Sequence, residues 1–158
     1  RRFLVTSDGW RSDTSSQQKL RQCYLMGSDE GITVRVRITS ENNCFLTLKT
    51  PFQGITRYEF EYSIPQNDAE LLWNFSNHRL IKTRYQLDRE GGEWIVDCFE
   101  GANSPLVIAE VELPSEDFPV EIPEWCGREI TREFGFSNAS LAQIPFSEWS
   151  IKQQNASL

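Results

Sequence analysis

Apolar and polar residues alternate with a period of two along most of this chain, which restricts the fold to one dominated by pleated strands. In Thr33-Val34-Arg35-Val36-Arg37-Ile38 the branched aliphatics alternate with Thr33, Arg35 and Arg37. One face is apolar, and the other carries two guanidinium groups about 7 Å apart at the rise of a strand. Arg57-Tyr58-Glu59-Phe60-Glu61-Tyr62 sets charges on one side and aromatic rings on the other. Leu80 to Leu87 opposes Lys82 and Arg84 to Ile81, Thr83 and Tyr85, and Leu106 to Leu113 opposes Glu110 and Glu112 to Ala109, Val111 and Leu113. Phe45 to Lys49 puts Thr47 and Lys49 on one face, Asp97 interrupts the apolar run from Trp94 to Phe99, and Phe3-Leu4-Val5 and Cys23 to Met26 read as shorter strands.

Turn-forming residues separate these runs at Ser7-Asp8-Gly9, Gly27 to Gly31, Glu41-Asn42-Asn43, Pro51 to Gly54 and Gly91-Gly92. Pro65 followed by Asp68-Ala69-Glu70-Leu71-Leu72-Trp73 predicts a helix with its acids in the favourable first turn. Ser15 to Arg21 is polar and reads as one helical turn. Beyond Pro114 prolines and short turns take over, with Ser137 to Ala142 the best helical stretch, and the polar tail over 150–158 is expected to fray. Antiparallel strands on short turns with two or three helices make an all-β barrel or an α+β fold.

The 158 residues suit one domain with a full core, fed by five Trp and ten Phe. Acidic residues outnumber basic ones by 23 to 16, which disfavours nucleic acid or an anionic membrane as partner but leaves room for a local basic pocket. No apolar run approaches the roughly 20 residues of a membrane span. Cys23, Cys44, Cys98 and Cys126 lack zinc-site spacing and read as reduced thiols of a cytoplasmic protein. His78, the single histidine, reads as a surface or structural residue.

The charged strand faces admit two readings. In an ordinary sandwich they are wetted while the apolar faces form the core. In a barrel with the charges inside, some ten ions would cost far more than the domain's stability unless the lumen held water, metal and a highly charged ligand. Arg and Lys from several directions suit a polyphosphate, and paired carboxylates suit a hard divalent cation. Pattern alone does not choose.

The order and spacing of Phe3-Leu4-Val5, Gln22-Cys23-Tyr24-Leu25, Val34 to Ile38, Leu46-Thr47-Leu48-Lys49, Arg57 to Glu61, Ile81-Lys82-Thr83-Arg84-Tyr85, Val96-Asp97-Cys98-Phe99 and Ala109-Glu110-Val111-Glu112 resemble the CYTH family, the triphosphate tunnel metalloenzymes. Pro123-Glu124-Trp125-Cys126-Gly127-Arg128-Glu129-Ile130-Thr131 and Phe136-Ser137-Asn138 look like the C-terminal segment of its short bacterial members. The resemblance covers roughly residues 1 to 145 of a single domain over 1–158. It implies a mainly β, α+β fold: a closed eight-stranded antiparallel barrel with a few covering helices.

The activity implied is hydrolysis of inorganic triphosphate with Mg²⁺ or Mn²⁺, by a monomer or homodimer. A different triphosphate (thiamine triphosphate, a nucleoside triphosphate, or ATP for cyclisation) and a non-catalytic polyphosphate-binding module are the alternatives. By resemblance, Arg2, Arg35, Arg37, Lys49, Arg57, Lys82 and Arg84 bind phosphate. Glu110 and Glu112 hold metal, and Glu59 and Glu61 hold it or orient groups that do. Asp97 acts from behind that layer or as the partner of a lumen arginine. Lys82 with Tyr24 activates the attacking water, though another phosphate clamp (Lys82) and plain packing (Tyr24) fit as well. Two departures stand out. Arg2 replaces the lysine of the family's N-terminal Glu-x-Glu-x-Lys, whose two glutamates would fall just ahead of Arg1, and Cys23 stands where relatives have Gly.

Overall fold

The computed structural model describes residues 1–26, 31–51, 57–115 and 118–157. Among these residues nine strands form a single antiparallel sheet. In chain order they are β1 (Arg2–Val5), β2 (Thr14–Met26), β3 (Thr33–Thr39), β4 (Cys44–Lys49), β5 (Glu59–Ser63), β6 (His78–Leu87), β7 (Glu93–Phe99), β8 (Val107–Glu112) and β9 (Cys126–Glu129). Their spatial order is β5-β4-β3-β2-β6-β7-β8-β1-β9. The expected eight strands thus become nine, because Cys126–Glu129 pairs with the outer side of β1. Hydrogen bonding does not close the sheet: among the described residues no pairing joins β5 to β9.

The helices are α1 (Gln66–Phe75), α2 (Asn138–Gln143) and α3 (Ile151–Asn155). Asp68 lies in the first turn of α1, where the dipole favours it, and Ser76 ends the helix. The Ser76 hydroxyl then donates to the Tyr24 carbonyl at 2.8 Å and accepts from the His78 amide, which fixes the entry to β6. The tail, expected to fray over 150–158, is described as far as Ser157. Ser150 and Gln153 form a reciprocal capping box that starts α3. Ser15 to Arg21, read as a helical turn, lies instead inside β2, held by a ladder to β6 that runs from Thr14 opposite Leu87 to Tyr24 opposite His78. Its polar side chains are tolerated because several of them face solvent. Ser7-Asp8-Gly9 leads into a 3₁₀ helix over Asp8–Asp13. The turns at Gly27 to Gly31 and Pro51 to Gly54 fall mainly outside the described residues.

Two apolar clusters cover one side of the sheet. Cys23, Val36, Ile38 and Cys44 pack with Ala69 under α1, joined by Leu72 and Trp73. Phe3, Leu87, Trp94, Val96, Ala109 and Val111 pack with Trp10 of the 3₁₀ helix and with Trp125. Trp10 and Trp94 are essentially inaccessible, and each large apolar side chain so buried contributes about 2–3 kcal/mol. Cys23, Cys44, Cys98 and Cys126 are free thiols, and His78 is exposed.

The third cluster lies on the opposite side, the side that carries the charges. Leu4, Tyr24, Leu80, Phe99 and Ile108 meet Ile130, Phe136, Leu141, Ala142 and Phe146 of the C-terminal segment, with Trp149 against them. Leu4, Leu80, Phe99 and Ile108 each stand two residues from a charged one, namely Arg2, Lys82, Asp97 and Glu110, and so share its face. The charged face therefore passes into an apolar patch, and the C-terminal segment plugs that patch.

Candidate functional site

The register sets the charged residues side by side. Arg35 lies opposite Tyr24 on β2 and Thr47 on β4, and Thr47 lies opposite Glu61 on β5. Lys49 is opposite Glu59, and Arg84 is opposite Asp97. One polar surface thus runs across neighbouring strands, and its parts differ sharply in exposure. Lys82 is fully buried, while Asp97 and Arg35 retain 5% and 7% of their surface. Arg57, Glu59, Glu61 and Glu112 are exposed. Neither reading of the charged faces holds for every residue: the β6–β7 part is interior and the β5 part is wet.

The interior part is a three-residue network. Lys82 Nζ donates to Asp97 Oδ2 at 2.6 Å, and Arg84 grips both Asp97 oxygens through Nε and Nη2 at 2.8 Å each. Burial works against the Asp97 charge, but Lys82 and Arg84 together pull its carboxyl down to about 2. For Lys82 burial prevails: with Arg84 nearby it brings the amine down to about 8 despite the ionised partner. Nζ also lies 5.4 Å from the centroid of the Phe99 ring, at the seam between charges and apolar plug. Tyr24 is buried, and desolvation pushes its hydroxyl up to about 12 against the opposing pull of Arg35.

The wetter part is a ladder of ion pairs. Arg37 Nη2 donates to both Glu61 oxygens at 2.9 and 3.0 Å, and Arg35 Nη2 reaches Glu61 at 3.3 Å and Glu59 at 3.7 Å. Lys49 Nζ donates to Glu59 at 2.7 Å. Thr47, wholly buried, accepts from Arg35 at 3.0 Å and donates to Glu61 at 2.9 Å. Burial holds the Arg37 and Lys49 cations below their ordinary values, with Arg35 adding repulsion in both cases. Among the described residues, the buried Nε groups of Arg35 and Arg37 and the Oε1 of Gln22 have no hydrogen-bond partner, which costs about 1–3 kcal/mol for each buried polar group left so.

Arg2 donates to the carbonyls of Thr131 and Phe136 at 3.1 and 3.3 Å. Burial lowers its guanidinium, and it feels both Glu110 across the ladder and Arg57, which precedes the far edge strand β5. Arg57 thus bears on Arg2 although β5 and β1 lie seven places apart in the strand order, which fits a curled sheet.

Glu110 and Glu112 share a face of β8 and, among the described residues, form no ion pair; nor do three or more carboxylates, thiols or imidazoles gather into a metal-sized cluster there. Glu59 and Glu61 are engaged by Lys49, Arg35 and Arg37 and stand apart from the β8 pair in the strand order. Carboxylate oxygens remain the donors a hard cation prefers, and Mg²⁺ is commonly held by one or two of them with phosphate oxygens and water completing the shell. Glu110 and Glu112 fit that role. Sequence reasoning passed over three residues: Thr47, whose place beside Lys49 was visible, Gln22, and Asn138, whose amide oxygen accepts from Lys82 Nζ at 3.1 Å.

A family model described as CYTH domain matches residues 1–144. An inorganic triphosphatase of Acetivibrio thermocellus is 35% identical over 151 residues, covering 94% of this chain and 95% of its own. One from Nitrosomonas europaea is 36% identical over 127 residues, covering 78% of this chain and 83% of its own. The crystal structure of the inorganic triphosphatase NE1496 superposes with a TM-score of 0.68 at 34% identity, covering 90% of this chain and 94% of its own.

Proposed function

This chain belongs to the CYTH domain family, and from that premise we propose that it hydrolyses inorganic triphosphate to pyrophosphate and phosphate with Mg²⁺ or Mn²⁺ as cofactor. The observation that carries the reading is the crowding of Arg35, Arg37, Lys82 and Arg84 on one curled face, where Arg37 feels both Arg35 and Arg84. Crowded cations, with buried Arg35 and Arg37 Nε groups that have no hydrogen-bond partner among the described residues, suit a polyanion. The proximity of Arg2 to Arg57 supports a tunnel around that ligand, open in its hydrogen bonding at β5 and β9.

Arg35, Arg37, Lys49, Arg57, Arg84 and Arg2 draw in the phosphate oxygens and offset the charge that builds in the transition state. Glu110 and Glu112 would hold the divalent cation, which would supply polarisation of phosphate oxygens. Arg2 lies opposite Glu110 in the ladder, which sets a phosphate-binding cation beside the cation-binding pair. Glu59 and Glu61 orient the cations of β3 and β4, and Asp97 orients Lys82 and Arg84.

The attacking water forms its bond to the terminal phosphorus as the bridging P–O bond breaks, and pyrophosphate leaves with the bond's electron pair. The water's proton passes to neutral Lys82 Nζ. Burial lowers that amine to about 8, so its neutral fraction grows as the pH rises from neutrality. The Tyr24 hydroxyl, pushed up to about 12, keeps its proton and serves as a hydrogen-bond donor rather than a base. Phosphate release should be measured with tripolyphosphate, ATP and thiamine triphosphate, each with Mg²⁺ and with Mn²⁺. Tripolyphosphate is expected to dominate, at a rate that climbs toward pH 8. Preference for another triphosphate would reassign the substrate, and binding without turnover would make the domain a polyphosphate carrier.

A further inference from the structure

We propose that Asn138 is a positioning residue for hydrolysis, its side-chain oxygen fixing the amine of Lys82 from the C-terminal plug. The inference rests on the reading of Lys82 as proton acceptor. Among the described residues, Lys82 Nζ has two polar contacts, Asp97 Oδ2 at 2.6 Å and Asn138 Oδ1 at 3.1 Å. One contact leaves a flexible four-carbon side chain free to swing about the donor–acceptor line, whereas two fix where the remaining position of the nitrogen points.

The support for Asn138 is itself rigid. Ser137 caps α2 by accepting from the Ser140 amide at 3.1 Å, so the Asn138 side chain is not needed as the cap. Leu141 and Ala142 of the same short helix are buried among Leu80, Phe99 and Tyr24. Asn103, in the turn between β7 and β8, donates to the Leu141 carbonyl at 3.1 Å and accepts from the Phe146 amide at 2.8 Å. The segment is also tied to the phosphate side, since Arg2 donates to Thr131 and Phe136. Anchored on both sides, the plug places one acceptor where Lys82 needs it.

Neutrality matters as much as position. Among the described residues, the charged groups that act on Lys82 are Asp97 from β7, Arg84 from its own strand and Glu110 from β8, with Tyr24 of β2 acting on Asp97 and Arg84, while α2 contributes only an amide. A carboxylate at 138 would make nearly the same contact but stabilise the protonated amine, so Lys82 would surrender its readiness to accept a proton. A neutral acceptor orients without that penalty.

The test compares the wild-type chain with Asn138→Ala and Asn138→Asp, reading kcat, KM, the pH–rate profile, melting temperature, and the titration of Lys82 in substrate-free protein by NMR of isotopically labelled lysine. For Asn138→Ala, kcat should fall at least about tenfold with KM little changed and the fold intact. For Asn138→Asp, both the rising limb of the pH–rate profile and the Lys82 titration should move up by about one pH unit or more. Wild-type turnover with both variants unchanged in kcat and pH profile would overturn the inference and leave Asn138 a packing residue. An inactive wild type would instead overturn the functional reading, and the NMR titration would still decide whether Asn138 governs the Lys82 amine. If Asn138→Ala fails to fold, the nearly isosteric Asn138→Asp carries the test, and an unmoved Lys82 titration overturns the proposal.

Discussion

Replacing Asp97 by Asn probes the buried part of the candidate site, where one carboxylate holds two cations. The wild-type carboxylate is 5% exposed and accepts three charge-assisted hydrogen bonds, one from Lys82 at 2.6 Å and two from Arg84 at 2.8 Å. An amide keeps the shape but offers one acceptor oxygen, and its NH₂ group would face a donor. Holding a carboxyl at about 2 rather than the ordinary 3.8, at about 1.4 kcal/mol per pH unit, is worth about 2 kcal/mol at neutral pH. Stranding the buried cations adds to that, and removing one member of a buried pair commonly costs about 3–5 kcal/mol. Lys82 limits the loss, because without Asp97 its amine falls further below about 8 and sheds its proton. We expect Asp97→Asn to lose about 3 kcal/mol in urea unfolding at pH 7.

The pH dependence supplies a second, independent sign. A depressed carboxyl contributes stability that is present above its unfolded value and lost as pH falls, here from 3.8 toward about 2, and Asp97→Asn should lack this acid limb. Lys82 is lowered from 10.5 to about 8, so across that window the unfolded chain binds more protons and wild-type stability should rise with pH. In the mutant that rise should begin at lower pH. Unfolding free energy within about 0.5 kcal/mol of wild type at pH 7, with an unchanged acid slope, would refute the network argument.

Arg37→Ala should lower kcat/KM for tripolyphosphate at least about tenfold, about 1.4 kcal/mol. Its melting temperature should barely move, because Glu61 keeps Arg35 and the Thr47 hydroxyl; a large drop in melting temperature with normal kinetics would return Arg37 to a structural role. Glu110→Gln should abolish metal-dependent phosphate release while being partly rescued by excess Mn²⁺, and unchanged activity at limiting metal would remove Glu110 from the cation site. Gly92→Ala should destabilise the fold by at least about 1 kcal/mol in urea unfolding, since its φ is +129° and a Cβ would sit 2.7 Å from both the Glu112 carbonyl and Val111 Cγ2; wild-type stability would contradict that geometry.

The elements legible in the sequence are those whose cause is local. Val34, Val36 and Ile38 against Arg35 and Arg37 specify a strand without reference to any partner, and the acids after Pro65 specify α1 in the same way. Ser15 to Arg21 has no such internal signal: its strand character comes from the ladder to His78–Leu87, some sixty residues away. The same holds for Cys126–Glu129, which is a strand because β1 offers it an edge. Site residues divide likewise. Lys82, Arg84 and Asp97 were visible as charges at alternate positions, whereas Asn138, 56 residues from Lys82, acquires its meaning only when the plug docks.

That docking explains how one sheet face can carry a stable core and a crowd of cations together. The alternation assigns side chains to a face but does not say where along the strand charge gives way to hydrocarbon. In β6, β7, β8 and β1 the change comes two residues from the functional charge, at Leu80, Phe99, Ile108 and Leu4. The plug buries that apolar portion with Ile130, Phe136, Leu141 and Phe146, so the stability gained there lies directly against Lys82 and Asp97. Adjacency has an electrostatic consequence. The hydrocarbon wall that anchors the C-terminal segment also strips water from Lys82, and desolvation is the largest cause of its lowered proton affinity. Packing and the proton affinity of Lys82 are therefore coupled through the same side chains, and a cavity opened at Phe99 or Leu80 should admit water and raise the Lys82 amine toward its ordinary range, even though neither residue bears a charge.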